Sequence, residues 1–391
     1  MTPVRSLPRI LCAFAAALAC SLAGAAPRYV VEPIDPATEG LRPGGQLAVG
    51  ADGVFYGTAE AGGPTGDGTV FRVDTRGRIT LLHAFDGSDG YSVTAGLTPG
   101  ADGWLYGATM LGTANGLGGI FRIAPDGRFE LLHSFDDGAD HGASGVVSPL
   151  TFGADGSLYG TSEHAGRYPE RNGTIFRLTP DGKLHILYVF GTRARDPAAG
   201  VAFGPDGMLY GLTASDGKSD CGVLYAIAPD GSGFRIVHQF DNASDGCQPR
   251  ASLVEGADGA LYGTTQFGGP IGGQGTIFRF DTATQAVDVL HTFHDDDPLG
   301  GDAVTGLARD AAGTLYGATS HGSTFGAGAV YALRRNGDLR LLHAFAFDGV
   351  DGTDPLSPPT PAPDGSLVGT TLGGGTLGAG TVWQLGRARG P

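Results

Sequence analysis

Beyond residue 25 the sequence holds only two cysteines, Cys221 and Cys247. That excludes a cysteine-rich metal framework, and in an exported chain a lone pair is expected to form one disulfide. No run of 18 apolar residues follows residue 25, so no stable membrane insertion is expected. Apolar residues also never recur with a helical period. Basic residues are scarce, 25 Lys and Arg against 40 Asp and Glu, for a formal net charge of −15. That balance disfavours nucleic acid and anionic lipid as partners, and is compatible with cations or neutral sugars. No G-x-S-x-G or H-E-x-x-H motif occurs. The glycine-rich stretches, such as 268–275, are followed by neither Lys-Ser/Thr nor a helical pattern, which removes a phosphate cradle. An enzyme assignment therefore has little direct support.

The first 25 residues read as a secretory signal. Arg5 and Arg9 precede the apolar run Ile10 to Leu22, which is too short to span a bilayer, and Ala23-Gly24-Ala25 offers a small-residue cleavage site. A mature chain from Ala26 would be secreted or periplasmic. Loss of two arginines takes its formal charge from −15 to −17.

What the sequence has in abundance is glycine, 70 residues, and it falls at regular places. Tyr-Gly recurs at Tyr56, Tyr106, Tyr159, Tyr210, Tyr262 and Tyr316, with Val368-Gly369 as a degenerate seventh copy. The spacings are 50, 53, 51, 52, 54 and 52 residues. A fixed period near 50 marks a solenoid, a propeller or an array. The second unit shows the internal plan: a short apolar run at 95–98, an Asp-Gly turn, WLYGAT at 104–109, a glycine-rich loop, GIFRI at 119–123, a Pro-Asp-Gly turn and FELLHSF at 129–135. Asp-Gly between apolar runs is a hairpin signal, because glycine accepts the positive φ of such turns. Four antiparallel strands per unit describe a propeller blade. The expected fold is all-β, a seven-bladed β-propeller occupying residues 26–391.

The ends of the chain predict how the ring closes. The seventh unit stops after its third strand, 380–385, whereas Val30 to Asp35 aligns with the fourth-strand sequence Leu81 to Asp86. The amino terminus is therefore expected to supply the missing outer strand. Pro359, Pro361 and Pro363 alternate, so their missing donors share one edge; that edge must be unpaired, as the channel-facing edge of an innermost strand is.

The repeated LYGTT, GG-x-x-G-x-GT-[VI]-F and LLHxF segments resemble the GloVer tandem-repeat family of exported bacterial proteins, over residues 45–385. The resemblance implies export and a repeat-built β architecture, with no established activity to carry over. Some members resembling this one end in a surface-anchor domain; the closing residues 386–391 are no anchor, which leaves attachment to the cell surface open.

Candidate chemistry is sparse. Histidine recurs on the fourth strand at His83, His133, His238, His291 and His343. That strand lies three spacings of about 4.8 Å from the inner one, too far out for sevenfold copies to share a metal, so blade-to-blade packing with one hydrogen bond is expected. Acidic residues cluster in the blade-to-blade loops: Asp86 and Asp89, Asp241 and Asp245, Asp295 to Asp297, and Asp348, Asp351 and Asp354. Ca²⁺ is the one ion they would suit; solvated turn residues are the plainer account, and no other cofactor is expected. The glycine-rich and acidic loops are long and share one face, while the Asp-Gly turns share the other. Function commonly sits on long loops, and both cysteines belong to that face.

Blade three departs most from the repeat there, with Glu163, His164, Arg167, Tyr168, Glu170 and Arg171, and with Arg193, Arg195 and Asp196 in its outgoing loop. Tyr168 is placed to stack on a sugar and the arginines to hold a carboxylate; Glu163 and His164 would be acid and base if the protein were catalytic. The plain alternative is a drifted loop with solvated charges. The expectation is a monomeric binding or scaffold module for an extracellular glycan or protein ligand. The competing classes are a polysaccharide lyase or hydrolase at the channel mouth and a structural cell-surface component.

Overall fold

The computed structural model describes residues 29–74, 77–136, 138, 143–164, 172–191, 194–294, 296–302 and 305–386. The expected signal segment 1–25 lies outside them. The described residues form strands and turns with no helix, and none of their helices could cross a membrane because there are none. Seven four-stranded antiparallel sheets make a seven-bladed β-propeller. Blade one, Ala48–Val49, Phe55–Ala59, Thr69–Val73 and Ile79–Ala84, sets the plan from the axis outward.

The inner strand is shorter than the sequence implies. In blade two it is Thr98–Pro99 rather than the run 95–98. A Cβ on Gly96 would lie 2.6 Å from the Gln46 carbonyl oxygen, so this part of the chain packs on the adjoining blade instead of lengthening its own sheet. Threonines reinforce the contact: Thr58 donates to Ala95 at 2.9 Å and Thr161 to Ala199 at 2.9 Å, each reaching the next blade.

The ring closes as the sequence predicts. Tyr29–Pro33 pairs with Thr381–Leu385, Val31 facing Trp383. The Ile34 amide extends the pairing to the Gly380 carbonyl at 3.2 Å. Tyr29 also stacks on His343, centroids 3.9 Å apart, and its hydroxyl donates to Asp351 at 2.5 Å. The two-residue inner strand Thr360–Pro361 pairs only with Leu367–Thr371 and leaves its other edge on the channel, as the alternating prolines require. Thr360 crosses the seam to donate to Leu47 at 2.6 Å.

The core is divided into seven clusters, one per blade interface. The cluster at the seam joins Ile34, Val368 and Val382 to Leu47, Phe55 and Phe71; the others repeat it around the ring. Blades one to six share a bulge between strands three and four, beside Phe71 in blade one and Phe278 in blade five. One extra outer-strand residue, Leu82 or its equivalent, is thereby turned toward the next blade. The amino-terminal strand closes blade seven with no register shift.

Where most blades place phenylalanine on strand three, blades four and six place Tyr225 and Tyr331. Both are fully buried, and neither hydroxyl has a hydrogen-bond partner. Burial drives both phenol pKa values upward. An unsatisfied buried hydroxyl costs about 1–3 kcal/mol, so Tyr331→Phe is expected to raise stability by about 1 kcal/mol in chemical denaturation; a loss of stability would mean that the hydroxyl is satisfied. Deleting residues 29–34 is expected to expose two sheet edges and promote aggregation. Light scattering and thermal melting check this, and a monodisperse variant with an unchanged melting temperature would refute the closure account.

Candidate functional site

One backbone position organises the long-loop face. At each blade interface one repeat-equivalent residue has a left-handed backbone: Arg42 (φ 60°), Ser92 (59°), Gly145 (70°), Asp196 (63°), Gln248 (55°), Asp302 (60°) and Asp354 (57°). The reason is visible in the hydrogen bonds. The Gln248 amide donates to Cys221 of blade four at 2.9 Å while its carbonyl accepts from Gln266 of blade five at 3.2 Å. Arg42 likewise joins Ala379 of blade seven to Glu60 of blade one, and Asp302 joins Gln274 of blade five to Ser320 of blade six. Pointing the two groups at two different blades requires positive φ, a conformation that favours glycine. Yet in a protein with 70 glycines, six of the seven positions carry a polar side chain.

These residues rim the mouth of the central channel. The channel encloses about 770 Å³, and in six blades its first lining residue stands two places after the left-handed one, as Ala198 does after Asp196 and Arg250 after Gln248. Its walls are mostly Gly, Ser, Thr, Ala and Pro; among the described lining residues Glu255 is the one carboxylate and histidine is absent.

The rim is most charged between blades three and five. A cavity of about 260 Å³ is lined by Glu163, His164, Asn172, Arg195, Asp196, Ser215 and Asp220. The structure thus brings together Glu163, His164, Arg195 and Asp196, as the sequence proposed. Arg167, Tyr168, Glu170, Arg171 and Arg193 lie outside the described residues. Glu163 and His164 are placed by an antiparallel bridge between Ser144 and His164, and the Glu163 amide donates to Gly145 at 3.0 Å. Arg195 is already engaged by Asp216 at 2.7 Å, with Asp220 at 3.9 Å, and Arg250 stands 3.7 Å from Asp196. Burial and the neighbouring Asp196 charge push the Glu163 carboxyl above its ordinary range, with Arg250 opposing.

The Cys221–Cys247 disulfide forms beside this region, with Cα atoms 4.4 Å apart. Closing that loop stabilises by about 3 kcal/mol in the chain-entropy account. It also ties the blade-four loop to the residue next to Gln248, fixing one segment of the rim.

The repeated histidines pack as expected. His83 meets Asp89 at 2.7 Å, His238 meets Asp245 at 2.7 Å and His291 meets Asp297 at 2.8 Å. His83 also stacks on Phe129 of the next blade, centroids 4.2 Å apart. The acidic-loop carboxylates are occupied in the same way, by these rings and by loop amides such as Asp86 N–H to Asp89 at 3.1 Å. Among the described residues no three metal-ligating side chains converge.

Sequence reasoning found the blade-three departure and missed the rim. Its trace in the sequence is one position per repeat that differs between blades, with Asp at 196, 302 and 354 and Arg42, Ser92, Gly145 and Gln248 elsewhere.

The sign of the Glu163 effect follows from its raised folded-state pKa. The folded protein then holds a proton that the unfolded chain releases, so stability falls as pH rises above the ordinary glutamate value of 4.5. Glu163→Gln is expected to raise the melting temperature at pH 7 and to lose that advantage below pH 4.5. An advantage of equal size at both pH values would show that burial of the charge is not the cause.

Comparison with known proteins agrees with the architecture. The extracellular domain of a protein described as a hybrid two-component system from B. thetaiotaomicron superposes with a TM-score of 0.62 at 13% identity, covering 91% of this chain and 39% of that one. The chain therefore spans about two fifths of that protein's length. Oligogalacturonate lyase from Vibrio parahaemolyticus superposes with a TM-score of 0.58 at 10% identity, covering 92% of this chain and 97% of that one. A protein described as a 6-phosphogluconolactonase from Bacteroides uniformis gives 0.52 at 17%, covering 78% and 84%. At these identities the likeness shows the propeller fold alone. No curated protein matches the sequence. The Gloeobacter/Verrucomicrobia repeat matches twice in tandem, over residues 30–202 and 196–390, and the chain belongs to that family.

Proposed function

We propose that the protein is an exported binding module that holds a glycan on its long-loop face, at the rim between blades three and four. The observation that carries this reading is the choice of polar side chains at a backbone position where glycine would cost less. Strain of this kind persists where the side chain is needed. The Cys221–Cys247 disulfide supports export, since such bonds persist in oxidising compartments.

The cavity's size and chemistry support a small polyhydroxylated ligand. About 260 Å³ accommodates roughly one sugar ring. Its described arginine, Arg195, is already paired with Asp216, and Arg250 nearby with Asp196, which leaves the groups arranged to exchange hydrogen bonds with hydroxyls rather than to capture a free carboxylate. This shifts the expectation from acidic toward neutral sugars. Glu163 and Asp196, one with a raised pKa, are the feature that favours the rival catalytic reading; bond cleavage in the bound glycan would decide for it. The channel walls, with Glu255 as their one described carboxylate, offer catalysis less.

Calorimetry of the mature protein against gluco-, xylo- and manno-oligosaccharides, with oligogalacturonate as the acidic counterpart, tests the proposal. A neutral oligosaccharide is expected to bind, and Asp196→Asn to weaken it by about tenfold. Asparagine tolerates the left-handed backbone, so that loss would belong to the carboxylate. Absence of binding to any neutral sugar, or binding indifferent to Asp196→Asn and Glu163→Gln together, would overturn the assignment.

A further inference from the structure

The opposite face carries a cavity that the repeat does not call for. About 370 Å³ opens between blades five and six, lined by Asp258, Tyr262, Leu290, Leu315 and Leu333 and rimmed by Arg279, Arg334 and Arg335. At several other interfaces the repeat-equivalent space is filled by an aromatic ring of the protein's own. At the interface of blades one and two, Phe129 stacks on His83, and the following blade's turn closes in, with Gly127 placed 3.3 Å from the Leu82 carbonyl as judged from its Cβ direction. At blades three and four, Phe234 stacks on Tyr188, and Gly231 lies against Leu187 in the same way. At blades five and six the stacking position holds Leu339, and nothing lies within 4 Å of a Cβ on Gly337; Leu184 and Gly182 share this arrangement between blades two and three, where Trp104 packs into the interface instead. The turn stands away, and Leu290 is left 42% exposed.

A second comparison points the same way. In blade two, Trp104 lies under the Arg122 guanidinium at 4.4 Å and the Arg128 guanidinium at 5.3 Å. In blade five the residue two places before Tyr-Gly is Ala260, and no ring among the described residues covers Arg279. The edge of Arg279 is held by Asp258 at 2.9 Å, with Asp281 and Asp288 at 3.5 and 3.6 Å, which fixes its plane over the cavity rim. Arg334 is paired with Asp338 at 3.5 Å. Arg335 instead lies over the turn at Gly313, where a Cβ would sit 2.2 Å from its Nε, and forms no ion pair with the described residues.

We propose that this inter-blade cavity is a binding site for a planar aromatic carboxylate. The ring occupies the place that Trp104, Phe129 and Phe234 fill in other blades, lying on leucines and against guanidinium planes as Trp104 does. The carboxylate pairs with Arg335, the rim cation not already neutralised. This site is independent of the glycan reading and lies on the other face.

The test uses the full mature chain and 2-naphthoate as probe, by calorimetry and by NMR shift perturbation. A dissociation constant on the order of 1 mM or tighter is expected from the probe's size. Arg335→Ala and Leu290→Asp, both at exposed or half-exposed positions, are each expected to weaken it by about tenfold or more. Ala260→Trp is expected to block the site by restoring the blade-two arrangement. No saturable binding, or affinity unchanged in both Arg335→Ala and Leu290→Asp, would overturn the site. Equal affinity for 2-naphthalenemethanol would overturn the carboxylate assignment.

Discussion

Each blade is built around one close contact, an aromatic ring laid across a glycine. Gly57 of strand two faces Phe71 of strand three, and a Cβ there would meet the ring at 2.5 Å. The same pair recurs as Gly107 with Phe121, Gly160 with Phe176, Gly211 with Tyr225, Gly263 with Phe278, Gly317 with Tyr331 and Gly369 with Trp383. A glycine inside a strand weakens it, and a ring laid across it restores the lost packing. This is why Tyr-Gly survives as the visible signature of the repeat. The glycine admits the ring, and the tyrosine beside it points the other way, toward the next blade. There Tyr56, Tyr106 and Tyr210 each reach back to the aspartate of the Asp-Gly turn, at 2.7, 2.8 and 2.8 Å. One dipeptide thus fixes the inside of its own sheet and the turn at its end.

The contact also explains why the core is distributed. Each ring sits in an interface cluster with residues of a neighbouring blade, as Phe121 does with Tyr56 and Phe85. No blade buries its apolar faces alone, so stability is shared among nearest neighbours and depends on the ring being complete. The amino-terminal strand is the one joint where covalent continuity is absent. There Tyr29 stacks on His343 as Phe129 stacks on His83, and it adds a hydroxyl bond to Asp351.

Much of this was legible in the residues. Period, Asp-Gly turns and strand order follow from local chemistry, and local chemistry repeats. Closure was legible because Val30 to Asp35 carries a fourth-strand pattern without its blade. The disulfide was legible because the repeat places 221 and 247 in adjoining loops of one face. The bulges were not, since Leu82 and its equivalents read as ordinary members of an apolar run; only the register shows them turned aside. The inner strands were overestimated because apolar residues at 95–98 look like a strand whether they pair with their own sheet or lie on the next blade. The rim was invisible for a different reason. A left-handed backbone is set by hydrogen bonds to two blades, and a lone Arg42, Ser92 or Gln248 carries no local signal of it. The blade-three cluster was found in part, because insertion of charge into a glycine-rich loop is a departure that the repeat itself exposes.

The rim and the inter-blade cavity show where a repeat protein leaves its side chains free to vary. At the rim the backbone repeats while the side chain varies, because residues such as Arg42, Ser92, Gln248 and Asp354 reach the two blades through amide and carbonyl. Exchange of Arg42 for Ser92 or Asp354 therefore changes the chemistry of the mouth without disturbing the joint between blades. The cavity between blades five and six arises in the opposite way, by omission. The position that is Phe129 in blade two and Phe234 in blade four is Leu339 here, and the position that is Trp104 in blade two is Ala260, yet the neighbouring Gly-ring pairs Gly263 with Phe278 and Gly317 with Tyr331 still hold both sheets. Since blade integrity rests inside each sheet and at the tyrosine-turn contact, space at the outer interface is open to variation that the fold does not register. Both regions lie where the repeat's own packing makes no demand on the side chain.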